Sequence, residues 1–130
     1  MAKKVEATLI GVDVSKAELV LCQSGSKETL RVGNDRASIK RYLRGVPTGS
    51  CLGVEATNVY HLELVDQAHA RGLEVYVISG FQLKHYRESI GGRAKTDASD
   101  AALMLRYLTH ERACLRPWTP PPRGYRTLQC

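Results

Sequence analysis

The chain has 130 residues, a formal net charge of +6, and 43% hydrophobic against 25% charged residues. That balance excludes a disordered polyelectrolyte, fits one globular domain with a real core, and favours a polyanionic partner. No apolar run approaches transmembrane length and the N-terminus has no signal-peptide core, so a soluble, cytoplasmic protein without a membrane is expected. Cys22, Cys51, Cys114 and Cys130 lack metal-ligand spacing, and two of them fall in apolar runs. Free thiols in a reducing compartment are therefore expected rather than disulfides or zinc.

The first predicted element lies within Val5–Val14, where Leu9-Ile10-Gly11-Val12 reads as a buried strand ending at Asp13. A polar turn, Ser15-Lys16-Ala17-Glu18, leads to a second strand at Leu19–Cys22. Ser24-Gly25-Ser26 is a hairpin turn, and Thr29–Val32 alternates as an edge strand should. Asn34 or Asp35 can cap a short helix carrying Ile39 and Leu43 inward and Lys40, Arg41 and Arg44 outward. Leu52-Gly53-Val54 is a fourth strand with Glu55 at its C-terminal end. Thr57 or Asn58 is expected to cap a helix that runs through Ala68 and stops at Gly72. Val75–Ile78 is a fifth strand, and a helix over about Phe81–Ile90 ends at Gly91-Gly92. Thr96 can then cap a last helix, with Asp97 and Asp100 on one face of its first turn.

Beyond Arg112 the composition shifts to Pro117, Pro120, Pro121 and Pro122, which reads as a linker. The expected division is a domain over 1–113 and a proline-rich linker over 114–130. The order βββαβαβαα is a meander followed by alternating strands and helices. It predicts an α/β fold with a mixed five-stranded sheet flanked by helices. A ribonuclease H-like sheet has this order with its first strand central; doubly wound nucleotide-binding folds start βαβ instead.

Asp13 ends an apolar strand, where an unpaired carboxylate is costly. Glu55 stands where open sheets place their ligands. If strands one and four are neighbours, both acids face one edge, and the Asp97/Asp100 helix can close on them. Carboxylates that converge in this way need cations; hard oxygen ligands suit magnesium or manganese, which serve phosphodiester chemistry. A plainer reading stays open: Asp97 and Asp100 complement a helix dipole, and Asp13 and Glu55 pair with Lys16 or Arg93.

Three segments together, Gly11-Val12-Asp13-Val14-Ser15-Lys16, Val54-Glu55-Ala56-Thr57 and Ala94-Lys95-Thr96-Asp97-Ala98-Ser99-Asp100-Ala101, resemble the DEDD transposases. These are insertion-sequence recombinases of the IS110 type, which include the Piv invertases. The resemblance spans about residues 7 to 116 and includes Tyr76-Val77-Ile78 and His85-Tyr86-Arg87. It implies a RuvC-like domain whose four acids are Asp13, Glu55, Asp97 and Asp100. Those acids would hold Mg2+ or Mn2+ for DNA cleavage and strand exchange. It further implies element-end and target DNA and a non-coding guide RNA as partners, and a homo-oligomer for the full-length protein. Family members continue into a C-terminal domain carrying a serine nucleophile, so this chain is expected to be a truncated catalytic portion.

Lys16, Lys84, Arg87, Arg93 and Lys95 are the candidate nucleic-acid contacts, with His85 and Tyr86 as possible stacking groups. A solvated helix face explains the 84–87 set equally. His61, His69 and His110 read as structural or surface residues, and Ser99 has no nearby base. Two other functions compete: a non-catalytic nucleic-acid-binding module, and an actin-like sugar kinase fragment, whose fold also begins with an Asp-bearing hairpin. Gly91-Gly92 lacks the flanking pattern of the kinase's phosphate loop.

Overall fold

Short β-branched runs set the sheet, and glycines at positive φ (Gly25, Gly49 and Gly72) punctuate it. The computed structural model describes residues 8–89 and 99–121. Its elements are β1 (Leu9–Val14), β2 (Glu18–Gln23), β3 (Thr29–Gly33), α1 (Arg36–Leu43), β4 (Cys51–Glu55), α2 (Leu62–Ala70), β5 (Glu74–Ile78), α3 (Gly80–Ser89) and α4 (Ser99–Glu111). A 3-10 turn, Arg112–Cys114, follows α4. The sheet order is β3-β2-β1-β4-β5. The meander strands are antiparallel, and β1, β4 and β5 are parallel. The first strand is central, as the element order predicts.

Side chains alternate across the pleat, so each central strand feeds two cores. Ile10, Val12, Leu52, Val54 and Val75 join Leu19, Leu21, Ile39, Leu43, Leu64, Val65 and Ala68 under α1 and α2. Cys51, Tyr76 and Ile78 join Leu83, Leu103, Met104, Tyr107 and Leu108 on the opposite face, under α4. α4 packs on β1, β2 and β4, and α3 packs on α4.

Asp35 is the cap of α1: its Oδ1 accepts from the Ser38 N–H at 2.8 Å, which lowers its pKa. The structure corrects the start of α2. The Thr57 hydroxyl accepts from the His61 N–H at 3.1 Å and meets the His61 Nδ1 at 2.9 Å, so it closes a turn and the helix begins at Leu62. Asn34 ties this turn to the one after β1, donating to the Ser15 and Tyr60 carbonyls at 2.8 and 2.9 Å. In the proline-rich stretch the Trp118 N–H donates to the Val75 carbonyl at 2.6 Å, and its ring meets His69 edge-on at 5.7 Å. Cys22, Cys51 and Cys114 are free thiols. Among the described residues no helix is long and apolar enough to cross a membrane.

Candidate active site

Two tripeptides of one form, Gly11-Val12-Asp13 on β1 and Gly53-Val54-Glu55 on β4, build the floor of the site. The strands are parallel neighbours with Gly11 opposite Gly53 and Val12 opposite Val54. Alternation sends both valines into the α1/α2 core and leaves each glycine and its acid on the α4 face. A Cβ on Gly11 would lie 2.4 Å from the Ala101 carbonyl oxygen and the Leu105 nitrogen, and one on Gly53 2.8 Å from Leu108 Cδ1. The glycines therefore let α4 lie directly on the strand backbones. That approach brings Asp100, in the first turn of α4, to the end of the sheet that bears Asp13 and Glu55.

The three carboxyl groups feel one another. Burial raises the pKa of the half-buried Asp13, and the Asp100 charge raises it further. Glu55 is also raised, by burial first, then by Asp100 and Asp13, with Arg87 opposing. Glu55 is exposed as a residue, but its carboxylate is tucked against the start of α3, where a Cβ on Gly80 would come 2.7 Å from its Oε2. Among the described residues no ion pair reaches Asp13 or Glu55, so Lys16 does not neutralise either. Lys16 stands exposed in the β1–β2 turn.

Asp100 is paired with a cation. The Arg87 guanidinium on α3 donates from Nη2 to its Oδ1 at 2.8 Å. Arg87, Lys84, Leu83 and Gly80 form one wall of a cleft of about 240 Å³, and Glu55 and Asp100 form the other. The basic and aromatic set on α3 thus divides. Lys84 and Arg87 face the cleft, and His85 lies edge-on to the exposed Phe81 at 5.1 Å. Tyr86 turns to α4 instead, with its hydroxyl 2.8 Å from His110 Nδ1 and its ring against Tyr107. It is a packing residue. Arg93, Lys95, Thr96 and Asp97 lie outside the described residues.

The DEDD transposase family model of the IS110 type matches residues 10–130. The chain belongs to the DEDD transposase family. Two solved structures have the same fold. Thermus thermophilus RuvC in complex with a Holliday junction substrate is 15% identical over 87% of this chain and 100% of that one, with a TM-score of 0.58. A second Thermus thermophilus RuvC structure is 16% identical over 85% and 99%, with a TM-score of 0.56. No curated protein sequence matches the chain. This transposase domain is therefore RuvC-like, a ribonuclease H-like fold, and the family match displaces the sugar-kinase reading.

The donor set of the transposase domain suits a hard divalent cation: oxygen ligands only, with the proton affinity of Asp13 and Glu55 raised first by burial and then by neighbouring carboxylates. Among the described residues, no three Asp, Glu, His or Cys side chains stand close enough together to hold an ion. Asp100 is instead engaged by Arg87. Two features escaped sequence reasoning. The strand glycines had a readable signal, since each precedes an acid by two residues and so shares its face. The Arg87–Asp100 contact had none, because it depends on how α3 docks on α4.

Proposed function

We propose that this domain is the divalent-metal-dependent catalytic domain of a DNA transposase, acting on element-end and target DNA under a non-coding guide RNA. The observation that carries the reading is the placement of Asp13 and Glu55 at the ends of adjacent parallel strands, under the helix that bears Asp100 in its first turn, in a member of the transposase family. Asp13, Glu55, Asp97 and Asp100 would hold Mg2+ or Mn2+. Such ions polarise a phosphodiester oxygen and stabilise the leaving oxygen. Burial makes Asp13 a poor free anion, so a cation gains more there than at an exposed carboxylate. Lys84 and Arg87 would contact the phosphate backbone from the cleft wall, with Lys16, Arg93 and Lys95 extending that contact. We assign catalysis to 1–113 and a connecting role to 114–130, in a cytoplasmic homo-oligomer.

The domain's own serines are poorly suited to attack. Ser15 donates to the Glu18 carbonyl, Ser79 to the Gln82 side chain and Ser89 to the Tyr86 carbonyl. The expected activity of this chain is therefore weak, water-driven nicking rather than strand transfer. The test incubates it with Mn2+ and element-end DNA. Nicking that falls to background in Asp13→Asn and in Glu55→Gln is expected. Cutting that survives both substitutions would contradict the assignment.

A further inference from the structure

Two ion pairs occur among the described residues. Arg31–Glu18 joins β3 to β2 with both partners well exposed. Arg87–Asp100 is different: it joins α3 to the first turn of α4 in the cleft that Glu55 also lines, and the Arg87 side chain is only 25% exposed against 53% for Asp100. Asp100 already has a favourable place for its charge, at a helix N-terminus. A half-buried guanidinium on it is thus more than the helix requires.

Both groups line the cleft that also holds Glu55 and Lys84. A divalent cation taking Asp100 as a ligand competes with Arg87 for the same carboxylate. Arginine cannot leave by losing its proton, so it must move. Lys84, one turn earlier on the same helix wall, marks where a second anion would be welcome. A guanidinium fork fits phosphate oxygens as well as it fits a carboxylate.

We propose that Arg87 is an exchangeable counter-ion: it holds Asp100 in the metal-free domain and moves to a phosphodiester oxygen when a divalent cation takes that carboxylate. This inference rests on the reading of Asp100 as a metal ligand. It makes Arg87 a positioning residue that couples the two ligands. By linkage, cation binding strengthens nucleic-acid binding, and nucleic acid strengthens cation binding by the same factor.

The test measures Mn2+ affinity calorimetrically without nucleic acid, then the binding of a short oligonucleotide by fluorescence anisotropy with and without Mn2+. It uses the full chain and its Arg87→Gln, Lys84→Gln and Asp13→Asn variants. Arg87→Gln should bind Mn2+ alone about two- to fivefold tighter, since its competitor is gone. In the parent chain Mn2+ should strengthen oligonucleotide binding against its general screening effect. In Arg87→Gln that gain should shrink to what the cation's own contact with the phosphate contributes against screening. Lys84→Gln, which removes one charge from the same cleft without breaking an ion pair, should shift Mn2+ affinity less and keep the coupling. Equal Mn2+ affinities for the parent and Arg87→Gln, or equal gains in Arg87→Gln and Lys84→Gln, would overturn the proposal. A parent chain that binds no Mn2+, or binds it as well after Asp13→Asn, would sink the metal reading and the exchange with it.

Discussion

The sheet face under α1 and α2 has an aliphatic core, whereas the face under α4 carries two glycines mid-strand and two carboxyl groups at one end. On the first face Ile10, Val12, Leu52 and Val54 are fully covered, each removing apolar area from water. At about 25 cal/mol per Å², burying such a side chain contributes roughly 1.5–3 kcal/mol. On the second face the same strands give up two side chains to let a helix backbone approach. They then bring the Asp100 carboxylate in that helix's first turn towards acids that repel it. Both faces carry buried core, but only the α4 face also brings Asp100 to the end of the sheet that bears Asp13 and Glu55. Stability and site are thus separable by mutation.

The largest effect should come from reversing the roles of the faces. Gly11→Ala drives a methyl group into the α4 backbone, where neither Ala101 nor Leu105 can yield by a rotamer change. We expect a loss of about 3 kcal/mol or more, the upper range for overpacking, seen in urea unfolding. Hydrogen exchange should be fastest in α4 and Mn2+ binding should be lost. Leu52→Ala, with 0% exposure on the other face, should cost a comparable ~2–5 kcal/mol through its cavity yet leave Mn2+ affinity in the remaining folded protein unchanged. If Gly11→Ala keeps full Mn2+ affinity, α4 does not position the site in the manner described.

A smaller effect concerns charge. The folded-state pKa values of Asp13 and Glu55 lie above their ordinary carboxylate values, so the folded state holds their protons more tightly than the unfolded chain. Their destabilising contribution is absent below the ordinary carboxylate range. It appears as pH rises through the raised values and is complete above them. Metal-free Asp13→Asn should therefore melt a few degrees higher than the parent at neutral pH, within the usual ~0.5–2 kcal/mol for relieving a strained functional site. The gap should close on acidification. Asp35 works the other way, since its lowered pKa contributes stability that is lost as pH falls through it. A gap that widens towards acid would mean that Asp13 is not held in an unfavourable charged state.

Much of this was legible in the sequence because it depends on local rules. Apolar runs of four to six residues bounded by turn glycines gave the strands, and the meander gave a central first strand. Asp13 and Glu55 stood out because each ends an apolar strand. The rest depends on packing. Thr57 has the chemistry of a helix cap, but the turn it makes with His61 satisfies its hydroxyl first. Tyr86 lies among cationic residues in sequence, yet the angle between α3 and α4 turns it onto His110 and Tyr107. Arg87 and Asp100 meet across two helices, and no spacing rule predicts which carboxylate a flexible arginine reaches.

The central claim is that carboxylates from β1, β4 and α4 serve one cation site. Anomalous scattering from a manganese-soaked crystal tests it most directly. A peak coordinated by Asp13, Glu55 and Asp100 together is expected, with Arg87 displaced from Asp100. A peak elsewhere on the domain, or none at saturating Mn2+ with the three carboxylates left as they are here, would contradict it.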